Sequence, residues 1–132
     1  MHGRGQVLTS FNGLVPGTNG SGRGRACGFG GIGEWCVRAA AEHYAAIPAF
    51  RQAGYRTLLI DDGWMDPNRT ASGEIQPHRG LFPSGMPALV RFVQQRGFEL
   101  GIYTDIGTTT CGGHMASQGH YAQDALTSGS NR

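Results

Sequence analysis

The sequence predicts an α/β fold built from parallel βαβ units, and three observations carry that reading. Segments of helical periodicity alternate with short apolar, strand-forming runs, in the order helix, strand, long loop, helix, strand, loop. Both strand runs end abruptly in carboxylates, Asp61-Asp62 after the first and Asp105 after the second, and in parallel α/β folds the carboxyl ends of the strands are where ligands bind. The chain has 132 residues, enough for one small domain.

Residues 1–33 hold almost half of the 23 glycines and no acidic residue, with Arg4, Arg23 and Arg25 among their few charges. Such a composition buries too little apolar surface to offset its ordering entropy, so 1–33 is expected to be a flexible segment ahead of a folded unit at 34–132. A helix is expected from Glu34 through EWCVRAAAEHYAAI, with Val37, Ala40, Ala41, Tyr44 and Ala45 on one face, until Pro48 kinks or ends it. Thr57-Leu58-Leu59-Ile60 then reads as a short, fully buried strand. Prolines 67, 77 and 83 and glycines 73, 80 and 85 exclude regular structure from the stretch that follows. A loop this long is usually functional or disordered. A second amphipathic helix opens at Pro87, presents Leu89, Val90 and Val93, and stops at Gly97, which suits a left-handed cap. Phe98–Tyr103 forms the second strand, and the remainder is loop with about one helical turn near Tyr121–Leu126.

The formal net charge of +2 supports neither a nucleic-acid nor a membrane partner. No apolar run approaches the roughly 18 residues of a membrane-spanning helix, and the first residues lack the apolar core of a secretory signal. Three cysteines, Cys27, Cys36 and Cys111, match no zinc pattern and leave at least one thiol unpaired. Gly28-Phe29-Gly30-Gly31-Ile32-Gly33 satisfies G-x-G-x-x-G, but no strand precedes it and the nearest acidic residue after the helix, Asp61, comes too late for a dinucleotide site. Three arginines with one interleaved phenylalanine are also thin support for an RNA-binding tail, which would show steeply salt-dependent binding.

Asp61 and Asp62 admit three readings. They can form a strand-to-loop turn whose side chains accept backbone N–H bonds. They can hold a hydrated magnesium ion, although no phosphate-gripping loop accompanies them. They can accept hydrogen bonds from sugar hydroxyls, each charge-assisted and worth about 1.5–3 kcal/mol, with Trp64 as a candidate aromatic cover. Adjacent residues on one strand end cannot flank a glycosidic bond from both sides, so the pair suits hydroxyl binding better than acid and nucleophile roles.

The blocks IDDGWMDPNRTASGE, LFPSGMPALVRFVQQRGFELGIYTDIGTTTCGG and GHYAQDA resemble, in order and spacing, the first half of the α-galactosidases of glycoside hydrolase family 27. The likeness runs from about Ala39 to Ala125. It implies the N-terminal βα units of a (β/α)8 barrel and a retaining hydrolase acting on terminal α-linked galactose, with an α-galactoside as partner and neither metal nor cofactor. It also implies that Asp61 and Asp62 bind galactose hydroxyls, that Tyr103 lines the pocket, and that Cys111 lies beside the sugar, where the family's cysteine normally forms a disulfide. A Cys27–Cys36 bridge is a further expectation. Gly63 stands where many eukaryotic relatives carry a disulfide cysteine, and glycine-rich sequence stands where the family has a tryptophan-rich first strand.

None of the 9 acidic residues occupies the family's nucleophile or general-acid position. No catalytic residue is therefore assigned, and Asp105 and Asp124 are expected to be structural. The expectation is an inactive, poorly folded fragment of an α-galactosidase, since a closed barrel needs about 250 residues. The alternative is a non-catalytic galactose-binding remnant. The resemblance implies an extracellular, vacuolar or lysosomal location and leaves the oligomeric state open.

Overall fold

The computed structural model describes residues 6–9 and 32–130, with the backbone alone at 6–9, 129 and 130. Helix α1 spans Glu34–Ala45 and buries Val37, Ala40 and Ala41, the i, i+3, i+4 stripe expected of an amphipathic helix. Ala45, expected on that face, is exposed. Eight residues beyond Val37, it has rotated about 80° off the centre of the stripe. Glu34 is buried at the first turn, where it accepts hydrogen bonds from the Ser84 N–H at 2.9 Å and from Arg38 at 2.7 Å. The helix ends before Pro48, and Pro48 then opens a short helix α2, Pro48–Gln52, at a position where its missing N–H has no intrahelical partner to lose.

Strand β2 spans Tyr55–Ile60, two residues longer at its start than the apolar run. It is not fully buried as expected. Leu58 and Ile60 are sealed, whereas Thr57 and Leu59 stay partly open, because among the described residues the helices cover one face of the sheet. Helix α3 spans Met86–Gln95 and buries Leu89, Val90 and Val93. Gly97 follows it at φ +81°, the left-handed stop expected there. Strand β3 spans Glu99–Ile102 and pairs in parallel with β2, Leu58 opposite Leu100 and Ile60 opposite Ile102. The last helix, α4, spans Tyr121–Ser130 and is longer than the single turn expected.

Gln6–Thr9 departs from the flexible reading of residues 1–33. These four residues form strand β1, which pairs in parallel with β2 on the side away from β3, giving a three-stranded sheet. Gln-Val-Leu-Thr is able to form a strand, and the open edge of β2 supplies the ladder that the local composition does not advertise. The rest of the segment through residue 31, including Cys27 and the glycines at 28, 30 and 31, lies outside the described residues.

The core fills the space between the sheet and α1 and α3. Leu58, Ile60, Val37, Leu89 and Val93 are fully buried, each such aliphatic side chain contributing about 1.5–3 kcal/mol. The 61–85 loop joins this core through Trp64, Met65, Ile75 and Phe82, all buried. A turn-rich loop is thereby fixed without regular structure beyond an isolated bridge between Met65 and Pro77.

Candidate functional site

Parallel pairing decides where the site lies. With Ile60 opposite Ile102, the chain leaves β2 and β3 at the same end of the sheet, and the Tyr103 N–H donates to the Ile60 carbonyl at 2.9 Å. Asp61, Asp62 and Tyr103 therefore emerge side by side.

Asp62 is buried, at 7% exposure. One of its oxygens accepts from the Gly63 N–H at 2.8 Å, and the other from the Gly112 N–H at 2.9 Å. The second bond comes from the loop after β3 and fixes the carboxylate from across the site. Asp61 accepts the Asp62 N–H on Oδ1 at 2.8 Å, and its Oδ2 accepts no hydrogen bond from any described residue. The turn reading is thus partly realised in the bonds to Asp62 and Gly63, yet acceptor capacity remains on both carboxylates. Gly63 sits at φ +91° with the His114 ring 3.3 Å from where a Cβ would stand, so a side chain here would be both strained and crowded.

Tyr103 donates its phenol to Asp105 Oδ2 at 3.3 Å. Its pKa is pushed above the ordinary value, first by partial removal from water, then by the Asp105 carboxylate, with Cys111 and Asp62 acting in the same direction. Those four groups share one electrostatic neighbourhood. Cys111 is free and exposed, in the loop that delivers Gly112. The other oxygen of Asp105 accepts the Gly107 N–H at 2.9 Å, which shapes the loop's first turn.

Trp64 does not offer its face to a ligand at the strand ends. It is 2% exposed and packed in the core, and its indole N–H donates to the Tyr103 carbonyl at 2.7 Å, stapling the ends of β2 and β3 together. Among the described residues no group of three or more His, Cys, Asp or Glu side chains is arranged to hold a metal ion, and no helix is long and apolar enough to cross a membrane.

A family model described as Alpha galactosidase A matches residues 31–131. The chain belongs to the α-galactosidase A family. An α-galactosidase A of Cellvibrio japonicus is 44% identical over 96 residues, covering 73% of this chain and 23% of that protein. The crystal structure of α-galactosidase I from Mortierella vinacea superposes with a TM-score of 0.72 at 34% identity, over 76% of this chain and 25% of that one. An α-galactosidase from Saccharomyces cerevisiae, solved with raffinose, superposes with a TM-score of 0.71 at 26% identity, over 76% of this chain and 22% of that one. The chain therefore spans about a quarter of the length of these α-galactosidases, and the parallel α/β unit described above corresponds to a part of their fold.

Within this α-galactosidase unit, sequence reasoning missed Gly112 and Arg69. Gly112 acts through its backbone N–H, which no side-chain pattern reports. Arg69 lies in the 61–85 loop, and its guanidinium meets Asp124 at 2.6 and 2.8 Å in a two-pronged ion pair, while also donating to the Gly73 and Ala116 carbonyls. The Arg69 hydrogen bonds are the first cause that holds the Asp124 carboxyl below its ordinary range, helped by Ser117 and opposed by burial. The density of turn residues in the 61–85 loop was the available signal that it serves more than connection.

Proposed function

We propose that this chain carries the galactose-binding part of the active site of a retaining α-galactosidase acting on terminal α-linked galactose. The single observation that supports this most is the carboxylate pair at the end of β2, with Asp62 fixed by the Gly112 N–H and Asp61 Oδ2 left with acceptor capacity. Galactose presents adjacent hydroxyls that donate into such a pair. Two or three charge-assisted bonds of about 1.5–3 kcal/mol each discriminate strongly between hydroxyl arrangements. Tyr103 closes one side of the pocket and Cys111 borders it. Asp61 and Asp62 are neighbours on one strand end, so they orient the sugar. The two carboxyls that flank the glycosidic bond come from other strands of a complete (β/α)8 barrel.

Titration of galactose into the purified chain by calorimetry tests this reading. Saturable binding that is abolished by Asp61→Ala, with glucose binding at least tenfold more weakly, is the expected result. Equal binding of galactose and glucose, or no binding by a chain that melts cooperatively, would refute it. Release of nitrophenol from a nitrophenyl α-galactoside by the 132-residue chain would refute the assignment of the reacting carboxyls to other strands.

A further inference from the structure

The Asp62–Gly112 bond joins two loops that have no continuous secondary structure between them, so something must hold the second loop in place. The 105–118 loop closes on itself through Thr110 N–H to the His114 carbonyl at 2.8 Å and Ala116 N–H to the Thr108 carbonyl at 3.2 Å. Internal bonds set its shape without setting where it sits. Besides the Gly112 bond itself, it is attached at its start, where the Ile106 carbonyl accepts the Tyr121 hydroxyl at 2.7 Å, and on its returning arm, nearer in the loop's ladder to Gly112, at Ala116 and Ser117. Ser117 shares a 2.9 Å hydroxyl contact with Thr104, and the Ala116 carbonyl accepts Arg69 Nη2 at 3.0 Å. Arg69 in turn is gripped by Asp124 of α4 and ties down its own loop at the Gly73 carbonyl. The Asp124 side chain is buried, at 6% exposure, and that of Arg69 is mostly covered, at 12%.

We infer that Arg69 and Asp124 are positioning residues for the candidate site: their ion pair locks the 61–85 and 105–118 loops to the first turn of α4 and so delivers the Gly112 N–H to the Asp62 carboxylate. One planar guanidinium meets three segments at once, the 61–85 loop at Gly73, the 105–118 loop at Ala116, and α4 at Asp124. An ammonium is a point charge and cannot reproduce that fork. The inference rests on the galactose reading only for what the positioned carboxylate is used for.

The test is amide hydrogen exchange by NMR on the whole 132-residue chain, comparing Gly112 with the core helical amide of Val93, in the wild type, Asp124→Asn and Arg69→Lys. Gly112 is expected to be protected in the wild type. Asp124→Asn should speed its exchange about tenfold or more and Arg69→Lys by less, with Val93 unchanged in both. Should Asp124→Asn unfold the chain, Arg69→Lys decides on the same two rates. An unprotected Gly112 in the wild type overturns the inference. So does unchanged Gly112 exchange in Arg69→Lys, or equal loss at Gly112 and Val93, which marks general destabilisation. Galactose added to the wild type separates the two claims: if it shifts no resonance at Gly63 or Gly112 while the local exchange effect persists, the positioning role stands and the sugar reading falls.

Discussion

Gly112→Ala probes the site without removing any polar group. A Cβ at Gly112 would lie 2.6 Å from Asp62 Oδ2 and 3.1 Å from the His114 ring, and a carbon cannot sit that close to a carboxylate oxygen. Gly112 is not among the glycines held at positive φ, so alanine meets no backbone strain and brings a small gain of about 0.4–1 kcal/mol from the unfolded chain. The relief comes at the carboxylate, the free end of a short side chain, which swings away and gives up the 2.9 Å bond from Gly112. Losing one charge-assisted bond to a buried carboxylate costs about 1.5–3 kcal/mol, so the net destabilisation in urea unfolding should be about 1–2 kcal/mol. Galactose affinity should fall more steeply than stability implies, roughly tenfold to a hundredfold, because the displaced carboxylate is itself the proposed ligand. A double-mutant cycle with Asp62→Ala isolates the contact. Coupling of about 1 kcal/mol or more is expected, and additivity of the two substitutions within about 0.5 kcal/mol would refute the reasoning.

Two further outcomes are expected. Leu89→Ala, at a fully buried position in the core cluster, should lower the unfolding free energy by about 3 kcal/mol in urea titration, whereas Arg91→Ala on the exposed face of α3 should change it by less than about 0.5 kcal/mol. Stability should also fall in acid. The Glu34 and Asp124 carboxyls are both held below their ordinary values of 4.5 and 3.8: for Glu34 burial opposes the shift and the Ser84 and Arg38 hydrogen bonds prevail, while for Asp124 the Arg69 bonds lead. A depressed carboxyl stabilises the fold above its unfolded pKa and loses that contribution as pH drops through the folded one. Unfolding free energy should therefore decline below about pH 4.5, and Asp124→Asn should flatten that decline; a profile flat down to about pH 3 would contradict it.

How much of this was legible depended on the range of the interaction. Pro87 opening α3, Gly97 closing it and the stripe of Leu89, Val90 and Val93 are local matters of dihedral angle and helical period, and the structure has all of them. The carboxylates at the end of β2 were equally plain, because a strand run that stops at Asp61-Asp62 announces its own C-terminus. Strand β1 was hidden, since four residues in glycine-rich surroundings carry no strand signal until β2 offers an edge. The half-open face of β2 was hidden for a similar reason: an apolar run does not tell which of its alternate side chains the helices cover. At the site, the direction of Trp64, the Gly112 N–H reaching Asp62 from 50 residues away and the Arg69–Asp124 pair spanning 55 residues have no local signature.

The sequence by itself determined the α/β alternation, the stops and starts of its helices, and the placing of two carboxylates at a strand end, because backbone preference and side-chain periodicity act over a few residues. Tertiary structure alone decided which oxygen meets which amide, and which carboxylate oxygen is left without a donor among the described residues. Those outcomes depend on loop closure between distant segments, and the energy of closing a loop is not written in the residues on either side of it.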